Sequence, residues 1–267
     1  MDVEDFVNGI DKELAHRKLE LSRLKIKIVQ EAGDLDSDHA SWMRRSAAVL
    51  SYAHWEGFVK RASIRYVRYL NSQDLPISSL KCQLQAACLV SHFKRARESV
   101  KVRYLGEVLR DIDEARQGIF RVDPGKVVDT ESNLTSTVFA DLVEGIGLNY
   151  LDEYKTRGPF IDTKLVYGRH QVAHGELASF SATEIVDRIE AVVRLLDQYS
   201  QQLFEAVRDR LFLEAIQLDG HEPLGQRDGV VPAPRGSGLL ASEARQVEVG
   251  PCDDIEGEVS AGSPRVV

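Results

Sequence analysis

A chain of 267 residues, 43% hydrophobic and 28% charged, has enough apolar material for one sizeable core with appendages, and no run approaches the roughly 20 apolar residues of a membrane span. The acidic start Met1-Asp2-Val3-Glu4-Asp5 lacks a basic segment followed by an apolar one, so no signal peptide is expected and the expected compartment is the cytoplasm. The net charge of -8 disfavours a polyanionic partner only on average: residues 219–267 hold nine Asp/Glu against four Arg, whereas residues 41–121 hold 15 Lys/Arg against seven Asp/Glu, a basic half that permits RNA.

From Asp2 to about Gly33 the chain reads as one helix, with Val3, Val7, Ile10, Leu14, Leu21, Leu24 and Ile28 at steps of three and four. His16, Arg17 and Lys18 fall among its polar positions and read as solvated surface. Gly33-Asp34 ends it, and Asp36-Ser37-Asp38 supplies caps for a second helix, from about Asp38 to Asn71. There Trp42, Val49, Leu50, Ala53, Phe58, Ile64, Val67 and Leu70 make an apolar set broad enough for more than one neighbour. Arg61, Arg65 and Arg68 form a basic stripe, Glu56 is spaced to pair with Lys60, and Gly57 marks a close helix approach. His54 and Trp55 read first as packing with a satisfied polar tip; the sharper reading has His54 or Glu56 facing a cleft.

A third helix, about Ser78 to Arg97, follows Pro76 and carries Leu80, Leu84, Ala87, Cys88 and Val90 on its apolar side. Cys82 and Cys88 read as small core residues; with Cys252 they make an odd count without metal-ligand spacing, which suits reduced thiols. Residues 98–134 are the least regular part, broken by Gly106, Gly118 and Asp123-Pro124-Gly125 around a short helix between about Val102 and Gln117. Such an insertion is the expected place for substrate or partner choice. Asn133 or Ser136 caps a short helix ending near Gly145 to Gly147, residues 148–158 connect, and Gly158-Pro159 punctuates before a helix opened by Phe160 to Tyr167. Ser181 and Glu184 form a capping box for a last long helix whose seam runs from Ile185 to about Ile216. Beyond Gly220, Gly, Pro, Ser and charges dominate, so 218–267 is expected to be a disordered, mildly acidic tail. The periodicity throughout is helical, and the fold class expected is all-α.

The organising stretch is Gly168-Arg169-His170-Gln171-Val172-Ala173-His174-Gly175-Glu176, at the end of a helix. Arg169 and His174 stand about 500° apart at roughly 100° per residue, on overlapping sectors of one surface, so both side chains can reach one phosphate. Arg169 offers a fixed fork of donors matched to phosphate oxygens, and His174 can exchange a proton near neutral pH. Val172 and Ala173 anchor the turn, and Gly175 can stop the helix in the left-handed conformation. No His-Glu-x-x-His or paired Cys/His spacing appears among the histidines at 16, 39, 54, 92, 170, 174 and 221, and no Gly-rich phosphate loop or Gly-x-Ser-x-Gly elbow is present. No metal or cofactor is therefore expected.

Arg169 to Glu176 resembles the Arg-polar-x-aliphatic-Ala-His-Gly signature of HEPN domains, a family of helical nucleotide-binding and ribonuclease domains. The position after the arginine, Asn, Asp or His in that family, holds His170. The segment Leu50 to Lys60 resembles the second helix of bacterial HEPN-like nucleases, and Ser132-Asn133-Leu134-Thr135, with Leu142 to Leu148, resembles their pre-motif region. The resemblance covers most of residues 1 to about 216. It implies an antiparallel bundle of four to six helices over 1–217, and a metal-independent endoribonuclease that uses the RNA 2′-hydroxyl as nucleophile. In that reading Arg169, His174 and His170 are catalytic, and Arg61, Arg65 and Glu56 are candidate substrate-binding side chains. The resemblance also implies a homodimer whose paired motif helices make a composite cleft, a setting in toxin–antitoxin or anti-phage defence, and an antitoxin or a nucleotidyltransferase as candidate partner. The alternative is a catalytically inactive dimerisation or interaction module, or the nucleotide-binding partner of a nucleotidyltransferase.

Overall fold

The computed structural model describes residues 1–31 and 38–214, which all fall within one compact unit, Met1–Gln217. They form α1 (Val3–Gln30), α2 (Asp38–Asn71), α3 (Cys82–Ala96), α4 (Val102–Arg116), the single turn α5 (Pro124–Val127), α6 (Ser136–Gly145), α7 (Asp152–Phe160), α8 (Tyr167–Ala173) and α9 (Ala182–Arg208). A 3₁₀ turn lies at Ile77–Ser79, and a π-helical stretch, Ile161–Val166, joins α7 to α8. The described residues contain no strand, only the isolated bridges Pro76–Ile119 and Leu80–Leu213. The Gly33-Asp34 stop, the Asp36 and Ser37 caps, Ile216 and the 218–267 tail lie outside the described residues.

The frame is the long trio α1, α2 and α9, each packed on the other two. Asp2 caps α1, its carboxylate accepting from the Asp5 amide at 2.7 Å. Ile10, Leu21 and Ile28 turn inward as the spacing predicts, together with Phe6, whereas Val3 stays half exposed. The capping box at the start of α9 forms as expected, with Glu184 N donating to Ser181 Oγ and Ser181 N to the Glu184 carboxylate. Lys18–Asp197 (2.9 Å) and Lys25–Glu190 (2.6 Å) join α1 to α9 at the surface, where each ion pair contributes only about 0–1 kcal/mol. The frame therefore rests on its apolar seam.

Where α6 packs on the middle of α2 the core is aromatic. Phe139 of α6 meets Trp55 (4.8 Å), Tyr154 (4.9 Å) and Tyr199 (5.6 Å) edge-on, so one ring ties α6 to α2, α7 and α9. Both tyrosine hydroxyls are satisfied, Tyr199 sharing a 2.6 Å hydrogen bond with Ser63 Oγ and Tyr154 donating to Gln202 Oε1 at 3.0 Å, whereas the expected partner for the buried Trp55 Nε1 is missing among the described residues.

Several expectations are corrected. The interior stripe of α2 is built from Ala47, Ala48, Tyr52, Trp55, Phe58, Val59, Ala62 and Tyr66, while Trp42, Leu50 and Ala53 face solvent. Small residues let neighbouring helices approach α2 from several sides, and apolar size alone misjudges such a helix. α3 begins at Cys82, because Ile77 to Ser79 are drawn into a 3₁₀ turn by the Ile77 N–H bond to Gly118 O. Cys82 is exposed and not a core residue, and Cys88 is partly buried. Within 98–134, by contrast, the expected helix forms where it was placed, as α4 (Val102–Arg116). Thr135 caps α6, its Oγ1 accepting from Val138 N at 3.2 Å, in place of Asn133 or Ser136. Residues 148–158 are not a mere connection, since α7 runs through Gly158 and Pro159. Burial of Tyr154, Ile161 and Leu165 outweighs those local breakers, and the backbone widens into π turns just past the proline that lacks an N–H.

Candidate active site

α7, the π stretch and α8 form one continuous rod that carries the Arg-x4-His segment. Asp162 pins its middle: the carboxylate accepts from Ser136 N at 2.7 Å and Ser136 Oγ at 2.6 Å, at the first turn of α6. Ile161 and Leu165 are fully buried, and α8 lies against α2. The rod ends as the sequence predicts. Gly175 adopts φ +75°, Gly175 N–H bonds Val172 O, and Glu176 N–H bonds Gln171 O, which is the Schellman arrangement. His174 is the cap residue of this terminus.

Arg169 is half-buried and held on two sides. Its Nη1 donates to Asn133 Oδ1 at 2.9 Å, and its guanidinium carbon stands 5.2 Å over the Tyr52 ring. Asn133 follows a tight turn in which Glu131 and Ser132 take φ +48° and +65°, left-handed values that cost non-glycine residues on the order of 1–3 kcal/mol each. That turn is fastened by Glu131 N to Asp129 Oδ1 (2.9 Å) and Asn133 N to Thr130 O (3.0 Å). Tyr52 fastens it again, its hydroxyl accepting from the buried Leu134 amide at 2.8 Å. One tyrosine therefore forms the floor under Arg169 and the anchor of the loop that positions Asn133. Burial pushes its phenol up to about 12, opposed by the Leu134 N–H and assisted by the neighbouring Glu56 carboxylate, so it stays neutral across the working pH range.

Beyond Arg169, His170 and His174 are both exposed, with ring centroids 4.0 Å apart at 50°. The fold thus brings Arg169, His170 and His174 to one helix end, and links Glu56 to them through Tyr52.

It does not bring Arg61 and Arg65 there. They lie nine and thirteen residues beyond Tyr52 along α2, roughly 13 and 20 Å at 1.5 Å per residue, and about half a turn away. Arg61 pairs with Glu13 (3.4 Å), and Arg65 donates to Phe6 O (3.1 Å) and to Asp5 O. With Arg68 they line a cavity of about 330 Å³ against α1. The basic stripe serves the α1–α2 contact. Arg17 is likewise buried, not solvated: it bonds Glu13 (2.9 Å) and His54 O (3.1 Å), and its guanidinium fills the space over Gly57. His54 turns towards this cluster, 3.5 Å from Glu20, rather than towards a cleft. Burial lowers its pKa, against the pull of Glu20.

Two contributors to the site, Tyr52 and Asn133, escape a reading by residue type. Tyr52 sits in the helix-two segment and Asn133 in the pre-motif segment, so their shared closeness to Arg169 was signalled only by the family pattern. Among the described residues, no group of three or more His, Cys, Asp and Glu side chains gathers as metal ligands, and no helix is long and apolar enough to cross a membrane.

The fold and the geometry together define an all-helical domain that holds a braced arginine and two exposed imidazoles at one helix terminus. The chain belongs to the HEPN domains, its residues 12–205 matching the RiboL-PSP-HEPN family, a span that contains the Asn133 loop, the motif rod and most of the α1–α2–α9 frame. No curated protein and no solved structure gives a significant match.

Proposed function

We propose that this HEPN protein is a metal-independent endoribonuclease that acts as a homodimer. The observation that carries the reading is the bracing of Arg169 between Asn133 and Tyr52 beside two exposed imidazoles. A guanidinium held on both sides presents its remaining donors in a fixed direction, which is what stabilises charge developing on a phosphoryl group. An imidazole takes the proton of the RNA 2′-hydroxyl, O2′ bonds to phosphorus, the bond to O5′ breaks, and a proton is delivered to O5′. The products are a 2′,3′-cyclic phosphate and a 5′-hydroxyl.

Attacking and leaving oxygens stand roughly in line on opposite sides of phosphorus. His170 and His174, with ring centroids 4.0 Å apart and planes tilted by 50°, lie on one face and approach from one side only. A second copy supplies the imidazole opposite, and the exposed Tyr167 and Leu177 flanking the motif offer apolar surface for it. A role in toxin–antitoxin or anti-phage defence, with an antitoxin as partner, rests on the family resemblance.

The test incubates the full chain with single-stranded and structured RNA in EDTA, beside His174→Ala and Arg169→Lys. Cleavage that survives EDTA, yields cyclic-phosphate ends, spares 2′-O-methyl RNA and disappears in His174→Ala supports the proposal. Arg169→Lys keeps the charge and loses the fork, and its rate falls by about tenfold or more. Cleavage retained in His174→Ala refutes this site as the source of the activity, and no cleavage of any RNA by a protein that sediments as a dimer refutes the enzymatic reading and leaves a binding module.

A further inference from the structure

A second cationic site lies on the far flank of the motif rod, between α7, the π stretch and the first turns of α9. Arg188 lines a cavity of about 230 Å³ there. The residue is only 3% exposed, stacks 4.7 Å over Phe180, and has Nε and Nη1 without any hydrogen-bond partner. A buried guanidinium with unmade bonds carries a desolvation cost that an anion held beside it in the cavity would offset. Gly168 is shaped around it: a Cβ there would meet Arg188 Nη1 at 2.8 Å.

Arg157, Lys164 and Arg194 line the same cavity. Among the described residues neither Arg157 nor Lys164 has a carboxylate within salt-bridge distance, and Arg194 has only Glu190 at 3.8 Å, itself held by Lys25. Of the two carboxylates in the lining, Glu184 is turned to its cap, accepting from Ser181 N and Oγ, and Asp187 is exposed. Four cations thus face two carboxylates, one of them already engaged. The volume is below the roughly 300–1,000 Å³ of pockets that enclose whole small molecules, and suits a single phosphate group.

We propose that this cavity is a phosphate-binding site centred on Arg188, separate from Arg169 and His174. The phosphate comes either free or on a mononucleotide, or from an RNA backbone. Binding is measured by calorimetry on the full chain with inorganic phosphate, a nucleoside 5′-monophosphate and a short uncleavable 2′-O-methyl oligoribonucleotide. Arg188→Gln and the surface change Lys164→Glu each weaken phosphate binding by about tenfold or more, whereas Arg169→Ala changes it by less than about twofold. If Arg188→Gln does not fold, Lys164→Glu decides. A parallel loss for the oligoribonucleotide identifies the RNA backbone as the source, and a loss confined to the small ligands identifies a free or mononucleotide phosphate. No phosphate binding by the unmodified protein, binding indifferent to both changes, or binding lost only in Arg169→Ala overturns the proposal. Because the readout is affinity, it stands or falls without regard to RNA cleavage.

Discussion

Tyr52→Phe separates the two tasks of that side chain. The ring under Arg169 remains, and the hydroxyl that receives the Leu134 amide is removed. Leu134 is fully buried, so the orphaned N–H finds no water. An unsatisfied buried donor costs about 1–3 kcal/mol. For a chain of this size each kcal/mol lowers Tm by about 2–4 °C, so a fall of about 2–12 °C is expected in thermal unfolding followed by circular dichroism at pH 7. The lost anchor also releases the Glu131–Ser132 turn, whose left-handed residues relax once untied, and Asn133 leaves Arg169. If the protein is the nuclease proposed above, misplacing Arg169 by about 1 Å reduces RNA cleavage by roughly ten- to a hundredfold, measured well below Tm. Tyr52→Leu adds loss of the ring under the guanidinium, a further ~0.5–1 kcal/mol. A Tyr52→Phe protein with a Tm within about 1 °C of the parent would show that the Leu134 bond holds nothing. Unchanged cleavage by a destabilised variant would show that the loop does not position Arg169.

Gly175→Ala meets no atom within 4 Å and is penalised only by its φ of +75°, so it costs about 1–2 kcal/mol in chemical denaturation, with Gly175→Asn milder. Phe139→Ala empties the centre of the aromatic cluster and lowers stability by about 3–5 kcal/mol, read by the same denaturation curves. Burial keeps the folded-state pKa of His54 below its ordinary value of about 6.5, with Glu20 and Glu13 opposing and Arg17 and His16 assisting, so the unfolded chain binds this proton first. Its contribution to stability is therefore complete above about pH 7 and declines as pH falls through 6.5 towards the folded-state pKa; His54→Gln flattens that part of the stability–pH curve.

The all-helical class, the bounds of α2, the α9 capping box and the Gly175 stop were legible because each depends on neighbours within a turn or two. The end of the rod is fixed by Gly175 alone, and Ser181 and Glu184 carry their own cap. What escaped depends on partners far along the chain. Arg17, Arg61 and Arg65 look like surface cations until α1 and α2 meet and their donors find backbone carbonyls and Glu13. Asn133 reads as a helix cap until the rod brings Arg169 to it across 36 residues. Pro159 reads as a break until the burial of Tyr154 and Leu165 holds the chain helical around it.

The π stretch gives the motif a gearing that point substitutions leave untouched. Tyr154 clamps the rod upstream and Arg169 engages it downstream, so the count of residues between them sets the angular phase of one against the other. Deleting a single residue within Ile161–Val166 would swing everything beyond by roughly 100°. Arg169 would leave Tyr52, and both imidazoles would point to another quarter of the surface while every side chain kept its identity. In this protein the aim of Arg169, His170 and His174 is written in chain length as much as in composition.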